Sequence, residues 1–106
     1  MSELTEQAFR VNADNALEDA RKALLPLADE EDFEVELQNG VLQLIFESPR
    51  PAKFVISPNA PVRQIWVSAM SRSYKLPWSE SASAFALDGE PLAAMLDRLV
   101  RQHLAT

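Results

Sequence analysis

The sequence predicts an α+β fold in two layers, with an antiparallel sheet of about five to six strands and an N-terminal and a C-terminal helix packed on one of its faces. Apolar residues recur at three- and four-residue steps near both ends of the chain, as on one side of a helix. Between them, short stretches alternate apolar and polar residues, as half-buried strands do. Short turns join these stretches, which indicates antiparallel pairing, and two helices can cover only one face of the sheet.

The first helix is predicted from Ser2 to Leu25. Ser2 is a suitable N-cap, and Pro26 is expected to mark the end, because proline inside a helix removes a hydrogen bond and clashes with the preceding turn. One apolar stripe would face the sheet, formed by Phe9, Ala13, Ala16, Leu17, Ala20 and Leu24.

Six stretches with strand character follow. In the first of them Phe33, Val35 and Leu37 alternate with acidic residues, so the two sets point to opposite faces. The sequence QNG at 38–40 is a hairpin turn signal. The predicted strands are DFEVEL at 32–37, VLQLIFE at 41–47, AKFVIS at 52–57, RQIWVSAM at 63–70 and, as shorter strands, SYKLPW at 73–78 and SAFAL at 83–87.

A second helix is predicted after the turn Asp88-Gly89, with Pro91 in its first turn, where proline is well tolerated. Its apolar stripe consists of Leu92, Met95, Leu96, Leu99, Val100 and His103. His103 is the only histidine of the chain. Its position at the edge of a packed stripe favours a structural role over a chemical one.

Composition excludes several classes of protein. The 106 residues, 47% of them hydrophobic, suit one domain with one core, expected over residues 1–106. The chain has no cysteine, which excludes disulfides, zinc fingers, a thiol nucleophile and cysteine-ligated iron–sulfur clusters. No apolar run is long enough to span a membrane, and the N-terminus has no targeting pattern, so we expect a cytoplasmic protein.

Charge is distributed unevenly along the chain. Residues 1–47 contain 12 acidic and 3 basic side chains, whereas residues 48–106 contain 4 acidic and 7 basic ones. The acidic half would repel phosphate backbones, so nucleic acid is not expected as a partner. It would attract cations or a basic protein surface.

Most of this charge lies in residues 29–36, called the acidic segment below, which has six carboxylates: Asp29, Glu30, Glu31, Asp32, Glu34 and Glu36. One explanation is a strand edge that charge keeps soluble and unpaired. The other is a cation site, because a hard cation relieves repulsion between carboxylates. An EF-hand does not fit, since the sixth position counted from Asp29 is Glu34, where that loop requires glycine. We therefore expect an open surface patch with weak, unselective binding.

Alternation also assigns a face to each residue of the fourth strand. Ile65 and Val67 are expected under the helices, together with Leu42, Leu44 and Phe46 of the second strand. Gln64, Trp66 and Ser68 then face solvent. A tryptophan on the outer face is unusual, because it exposes a large apolar surface. Trp66 either lies flat on its neighbours without a partner or anchors another protein, as tryptophans at binding hot spots do.

These stretches resemble the frataxin family. The similarity is carried by NGVLQLIFE, by FVISPNAPVRQIWVSAMSRSYKLPW and by FALDG followed by an amphipathic helix, and it covers roughly residues 3 to 104. Its most specific part is PVRQIWVSA at 61–69, which matches the family pattern Pro-x-x-Gln-Ile/Val-Trp-Leu-Ser/Ala.

The resemblance implies that the protein binds Fe²⁺ or Fe³⁺ weakly at surface carboxylates and modulates iron–sulfur cluster assembly. The implied partners are the cysteine desulfurase and the iron–sulfur scaffold protein, bound by a monomer. The implied metal-binding residues are Glu18, Asp19, Asp29, Glu30, Glu31, Asp32, Glu34 and Glu36. The implied partner-binding residues are Gln64, Trp66, Ser68, Glu34 and Glu36.

The chain departs from the family pattern at several positions. Arg21 and Lys22 fall where the last turns of the first helix are usually acidic, and a basic pair there lowers cation affinity. The other departures are Ser57 for asparagine, Arg72-Ser73 for two glycines, and Phe85 at or near the place of a tryptophan. Two alternatives follow: a protein-binding module that has lost useful iron binding, and an enzyme with weak ferroxidase activity.

Overall fold

The computed structural model describes residues 4–105, which form two helices and one seven-stranded sheet. The strands lie in chain order, and each pairs antiparallel with the next. The elements are α1 Glu6–Glu31, β1 Glu34–Gln38, β2 Val41–Phe46, β3 Ala52–Asn59, a 3₁₀ turn Ala60–Val62, β4 Gln64–Ala69, β5 Arg72–Ser79, β6 Ala84–Leu87, β7 Glu90–Pro91 and α2 Leu92–Leu104.

Both helices pack on one face of the sheet, as the sequence predicts. The residues expected beneath them are all buried: Leu42, Leu44, Phe46, Ile65 and Val67. The strand count exceeds five to six because residues 90–91, ahead of α2, pair with β6. Pro91 is therefore the N-cap of α2 and not part of its first turn.

The prediction that Pro26 ends the first helix is wrong, because α1 continues through it to Glu31. Leu24, Leu27 and Ala28 are buried, so the apolar stripe extends past the proline. Burying a leucine side chain contributes roughly 1.5–3 kcal/mol, which can offset a cost of about 3 kcal/mol for an interior proline. The helix ends one turn later, where Asp32 takes a left-handed conformation at φ 61°.

The N-cap of α1 also differs from the predicted one. Ser2 lies outside the described residues, and the N-cap is Thr5, whose hydroxyl accepts a hydrogen bond from the Ala8 amide at 3.1 Å. This bond satisfies one of the amide groups that have no partner within the helix.

Aromatic side chains fill the core between the layers. Phe46 stacks on Phe33 and contacts Phe54, with ring centroids 4.7 and 5.0 Å apart. His103 is buried against the same rings, 4.6 Å from Phe46 and 6.0 Å from Phe54, in agreement with a structural role. Within residues 4–105 no helix combines the length and the apolar character needed to cross a membrane.

Candidate functional site

The acidic segment spans the end of α1 and the beginning of β1. Asp29, Glu30 and Glu31 belong to the last turn of the helix, and not to a loop before the strand as the sequence predicts. Asp32 is the C-cap, and Glu34 and Glu36 project from β1. All six carboxylates are exposed.

Three carboxylates at the C-terminal end of a helix oppose its macrodipole. That end carries partial negative charge, which basic side chains usually balance, but the last turn of α1 contains none. Four ion pairs join acids and arginines in other parts of the region 4–105, and none includes a carboxylate of the acidic segment. The segment therefore concentrates negative charge without a direct ion pair in the described region, an arrangement more typical of function than of stability.

The second region is the face of the sheet that the helices leave open. Trp66 lies there with 37% of its surface exposed. Its indole nitrogen Nε1 donates a hydrogen bond to Oε1 of Gln64 at 2.9 Å. The ammonium nitrogen of Lys75 lies 5.0 Å from the centre of the indole ring, a cation–π contact. Two neighbours of the same sheet thus hold the indole in position.

Strand register connects the two regions. Successive pairs align Glu36 with Gln43, Gln43 with Val55 and Val55 with Ser68, in one row across the open face. Ser68 lies two residues after Trp66 on β4, and it is exposed as predicted. Strands are about 4.8 Å apart, so β1 and β4 are separated by about 14 Å. One protein surface of ordinary interface size can reach across this distance.

Sequence comparison identifies the family of this chain. A family model described as a frataxin-like domain matches residues 2–106. The chain belongs to the frataxin-like domain family.

Bacterial relatives of this frataxin-like chain share one name, iron-sulfur cluster assembly protein CyaY. The relative from Pseudomonas fluorescens strain SBW25 is 31% identical over 104 residues, 94% of this chain and 89% of the relative. That from Pseudomonas aeruginosa is 36% identical over 74 residues, 66% of this chain and 67% of the relative. The relative from Azotobacter vinelandii is 26% identical over 105 residues, which are 95% of this chain and 90% of the relative.

The helix carboxylates Glu18 and Asp19 lie apart from the acidic segment of this frataxin-like chain. Along the axis of α1, Glu18 is about 16 Å from Asp29 at 1.5 Å per residue. A hydrogen bond from Arg21, with its positive charge, lowers the pKa of Glu18, and the two side chains form an ion pair at 2.5 Å. Asp19 faces another way, into a cavity of about 320 Å³ that is also lined by Trp78.

Because α1 is longer than predicted, its basic pair lies farther from the end of the helix. Arg21 and Lys22 do not occupy the last turns of the helix, as the sequence suggests, but lie more than two turns before Glu31. The true last turn is acidic. Arg21 pairs with Glu18 and forms no ion pair with the carboxylates at the end of the helix.

Sequence reasoning missed Arg101, which lies near the end of α1. This arginine of α2 contacts Asp97 at 3.0 Å, and it lines one groove with Asp29 and Glu30. Its hydrogen bond to Asp97 raises the pKa of Arg101, and Glu30 and Glu31 raise it further by their charge. No local signal reveals this proximity, because it depends on how the two helices pack.

No preformed metal cage is present in the described part of the chain. Between residues 4 and 105, no three or more His, Cys, Asp or Glu side chains are grouped so that they could hold a metal ion. The donors that exist are single exposed carboxylates on a helix end and a strand, and hard cations such as iron accept oxygen ligands of this kind.

Proposed function

We propose that this frataxin-like protein takes part in iron–sulfur cluster assembly, where it binds iron weakly and modulates the complex of cysteine desulfurase and scaffold protein. The names of its bacterial relatives support the process. The observation that carries the proposal is the pair of surfaces on one molecule: a dense acidic segment that ends on β1, and an exposed tryptophan held in position on β4, a strand about 14 Å from β1 in the same sheet.

Iron is cargo in this proposal and not a resident cofactor. Carboxylates of the acidic segment would hold Fe²⁺ or Fe³⁺, with Asp32, Glu34 and Glu36 closest to the open face and Asp29, Glu30 and Glu31 on the helix end. Binding is expected to be weak, because exposed carboxylates remain hydrated and salt screens their charge.

Docking would use both surfaces for different steps. Negative charge on the acidic segment would attract a basic partner surface from a distance and so increase the association rate. Trp66 would be buried at the contact, with Gln64 and Ser68 beside it on β4, and would slow dissociation.

A second candidate is a docking module that has lost useful iron binding. Arg101 favours this candidate. Its guanidinium lies close enough to Glu30 and Glu31 for their charges to raise its pKa, and a cation fixed at this place competes with iron. The two candidates share the docking step and differ only in whether iron matters to it.

The test is binding of the purified protein to the purified cysteine desulfurase and scaffold complex, measured with and without Fe²⁺ under anaerobic conditions. Iron-dependent affinity supports the first candidate, and affinity unaffected by iron supports the second. Absence of binding under both conditions contradicts the proposed function.

A further inference from the structure

A small concavity lies beside Trp66 on the open face of the sheet. Its volume is about 180 Å³, and it lies over β3, β4 and β5, with Val55, Ser68 and Tyr74 among its lining residues. Sites for small molecules and cofactors usually exceed about 300 Å³. A concavity of this size suits a single side chain better than a cofactor.

Two residues keep this concavity open. An indole has only two side-chain torsions, and rotation about them would let Trp66 cover the neighbouring strand residues. Gln64 fixes the nitrogen edge of the indole by its hydrogen bond at 2.9 Å, and Lys75, opposite Trp66 on β5, lies over the ring. Trp66 therefore forms a wall of the concavity and not its lid.

One cation lines the concavity. Lys75 is among its lining residues and forms no ion pair with any residue in the range 4–105. The lining contains no carboxylate, since Glu34 and Glu36 lie on β1, four strand spacings or about 19 Å from β5. An occupant of this apolar and hydroxyl-lined hollow is thus offered a cation on the β5 side.

We propose that the concavity is a preformed subsite for one apolar side chain of the partner protein, carried on a segment with a carboxylate on the Lys75 side. Gln64 and Lys75 are the positioning residues that hold Trp66 as its wall. The inference rests on the proposed docking function and specifies the chemistry of the contact. Because the indole is already held in place before binding, its immobilisation does not reduce the affinity for the partner.

The first test uses the free protein and isobutanol as a probe of the apolar hollow. Titration to about 100 mM should shift the backbone amide signals of Val55, Ser68 and Tyr74 before those of other residues. Ser68→Leu, which fills the hollow, should abolish these shifts, and Ser81→Leu, at an exposed serine of the turn between β5 and β6, should retain them. Shifts spread evenly over the surface, or absent, would overturn the subsite.

The second test is binding to the desulfurase and scaffold complex. Ser68→Leu should weaken affinity at least tenfold, while Ser81→Leu should leave it within about twofold. Equal affinities for these two variants would contradict the subsite. If the wild type itself does not bind, the proposed function fails, and the isobutanol titration still decides whether the subsite exists.

A third test uses the indole N–H signal of Trp66 to ask whether Gln64 and Lys75 hold this side chain in place. In the free protein, Lys75→Ala and Gln64→Ala should each broaden or shift the indole N–H signal of Trp66, and Lys75→Arg should restore it by keeping a cation over the ring. Affinity for the complex should fall severalfold in the two alanine variants and recover with Lys75→Arg. An unchanged indole signal in Lys75→Ala would contradict the role of Lys75.

Discussion

The acidic segment and the Trp66 surface are both exposed, but they are built in opposite ways. In the acidic segment six carboxylates follow one another without an ion pair among the described residues, on a helix end that disfavours negative charge. Trp66, by contrast, is fixed by a hydrogen bond and a cation–π contact on the rigid middle of the sheet. In the proposed function the segment would therefore act through its electric field, whereas Trp66 would act through direct contact.

Other acids of the molecule are only partly paired. Glu6 pairs with Arg10 at 2.6 Å, and Glu90 pairs with Arg98 at 2.8 Å, whereas Glu47 and Glu80 form no ion pair within residues 4–105. The acidic segment therefore differs from the rest of the molecule in the density of its charge, with six carboxylates in eight positions.

The largest effect is expected for Trp66→Ala. Affinity for the desulfurase and scaffold complex should fall by about 2 kcal/mol or more, roughly 30-fold, as for an interface hot spot. The loss should persist at high salt, and the melting temperature should fall by only a few degrees, because Trp66 is outside the core. Val11→Ala, at an exposed valine of α1, is the control and should change neither property. Unfolding of Trp66→Ala would show that the tryptophan supports the fold.

A smaller effect is expected for Glu34→Lys combined with Glu36→Lys. Association with the complex should slow by about tenfold at low salt and recover at high salt, because screening removes long-range attraction. Asp14→Lys combined with Glu80→Lys changes the net charge equally and should slow association much less. Equal slowing in both double variants would mean that net charge, and not its location, controls encounter.

Weak metal binding is expected to distinguish the two regions. Mn²⁺ at low millimolar concentration should broaden backbone signals of residues 29–36 before those of β4, with strong dependence on salt. Broadening spread evenly over the surface would mean that the segment is only solvated charge.

The smallest effect concerns a paired acid. A hydrogen bond from Arg98, together with its charge, lowers the pKa of Glu90 below the ordinary value of 4.5, although burial partly opposes the shift. A carboxyl group with a lowered pKa stabilises the fold above its unfolded pKa, and this contribution is lost as pH falls through the folded pKa. Glu90→Gln should thus lower the melting temperature slightly at pH 7, and this difference should disappear once the pH is below the lowered pKa of Glu90. Glu80→Gln, at an exposed acid outside the ion pairs, is the matched control for the loss of one carboxylate.

The fold could be predicted in most respects because its signals are local. Alternation assigns Ile65 and Val67 to the core, and the Asn39-Gly40 turn sets the first hairpin, where both residues have positive φ. The end of α1 could not be predicted, since the local cost of Pro26 is overcome by burial that depends on the whole fold.

The site was predictable in composition but not in arrangement. The alternation of residues along β4 is enough to predict that Trp66 is exposed, but its contact with Lys75 depends on the register of β4 and β5. That register follows from a two-residue turn at Met70 and Ser71, both with positive φ, and neither is a residue typical of such turns. Arg101 was missed for a related reason, because its approach to the acidic segment depends on helix packing.

The most direct measurement of the central claim is the binding kinetics of three variants on the immobilised desulfurase and scaffold complex, at low and high salt. The variants are Trp66→Ala, the Glu34→Lys and Glu36→Lys double substitution, and all three changes combined. We expect the two charge changes to lower mainly the association rate, and only at low salt. The tryptophan change should raise mainly the dissociation rate, at both salt concentrations. The combined variant should show both effects. A charge-reversed variant that associates at the wild-type rate at low salt would contradict a partner that engages both regions.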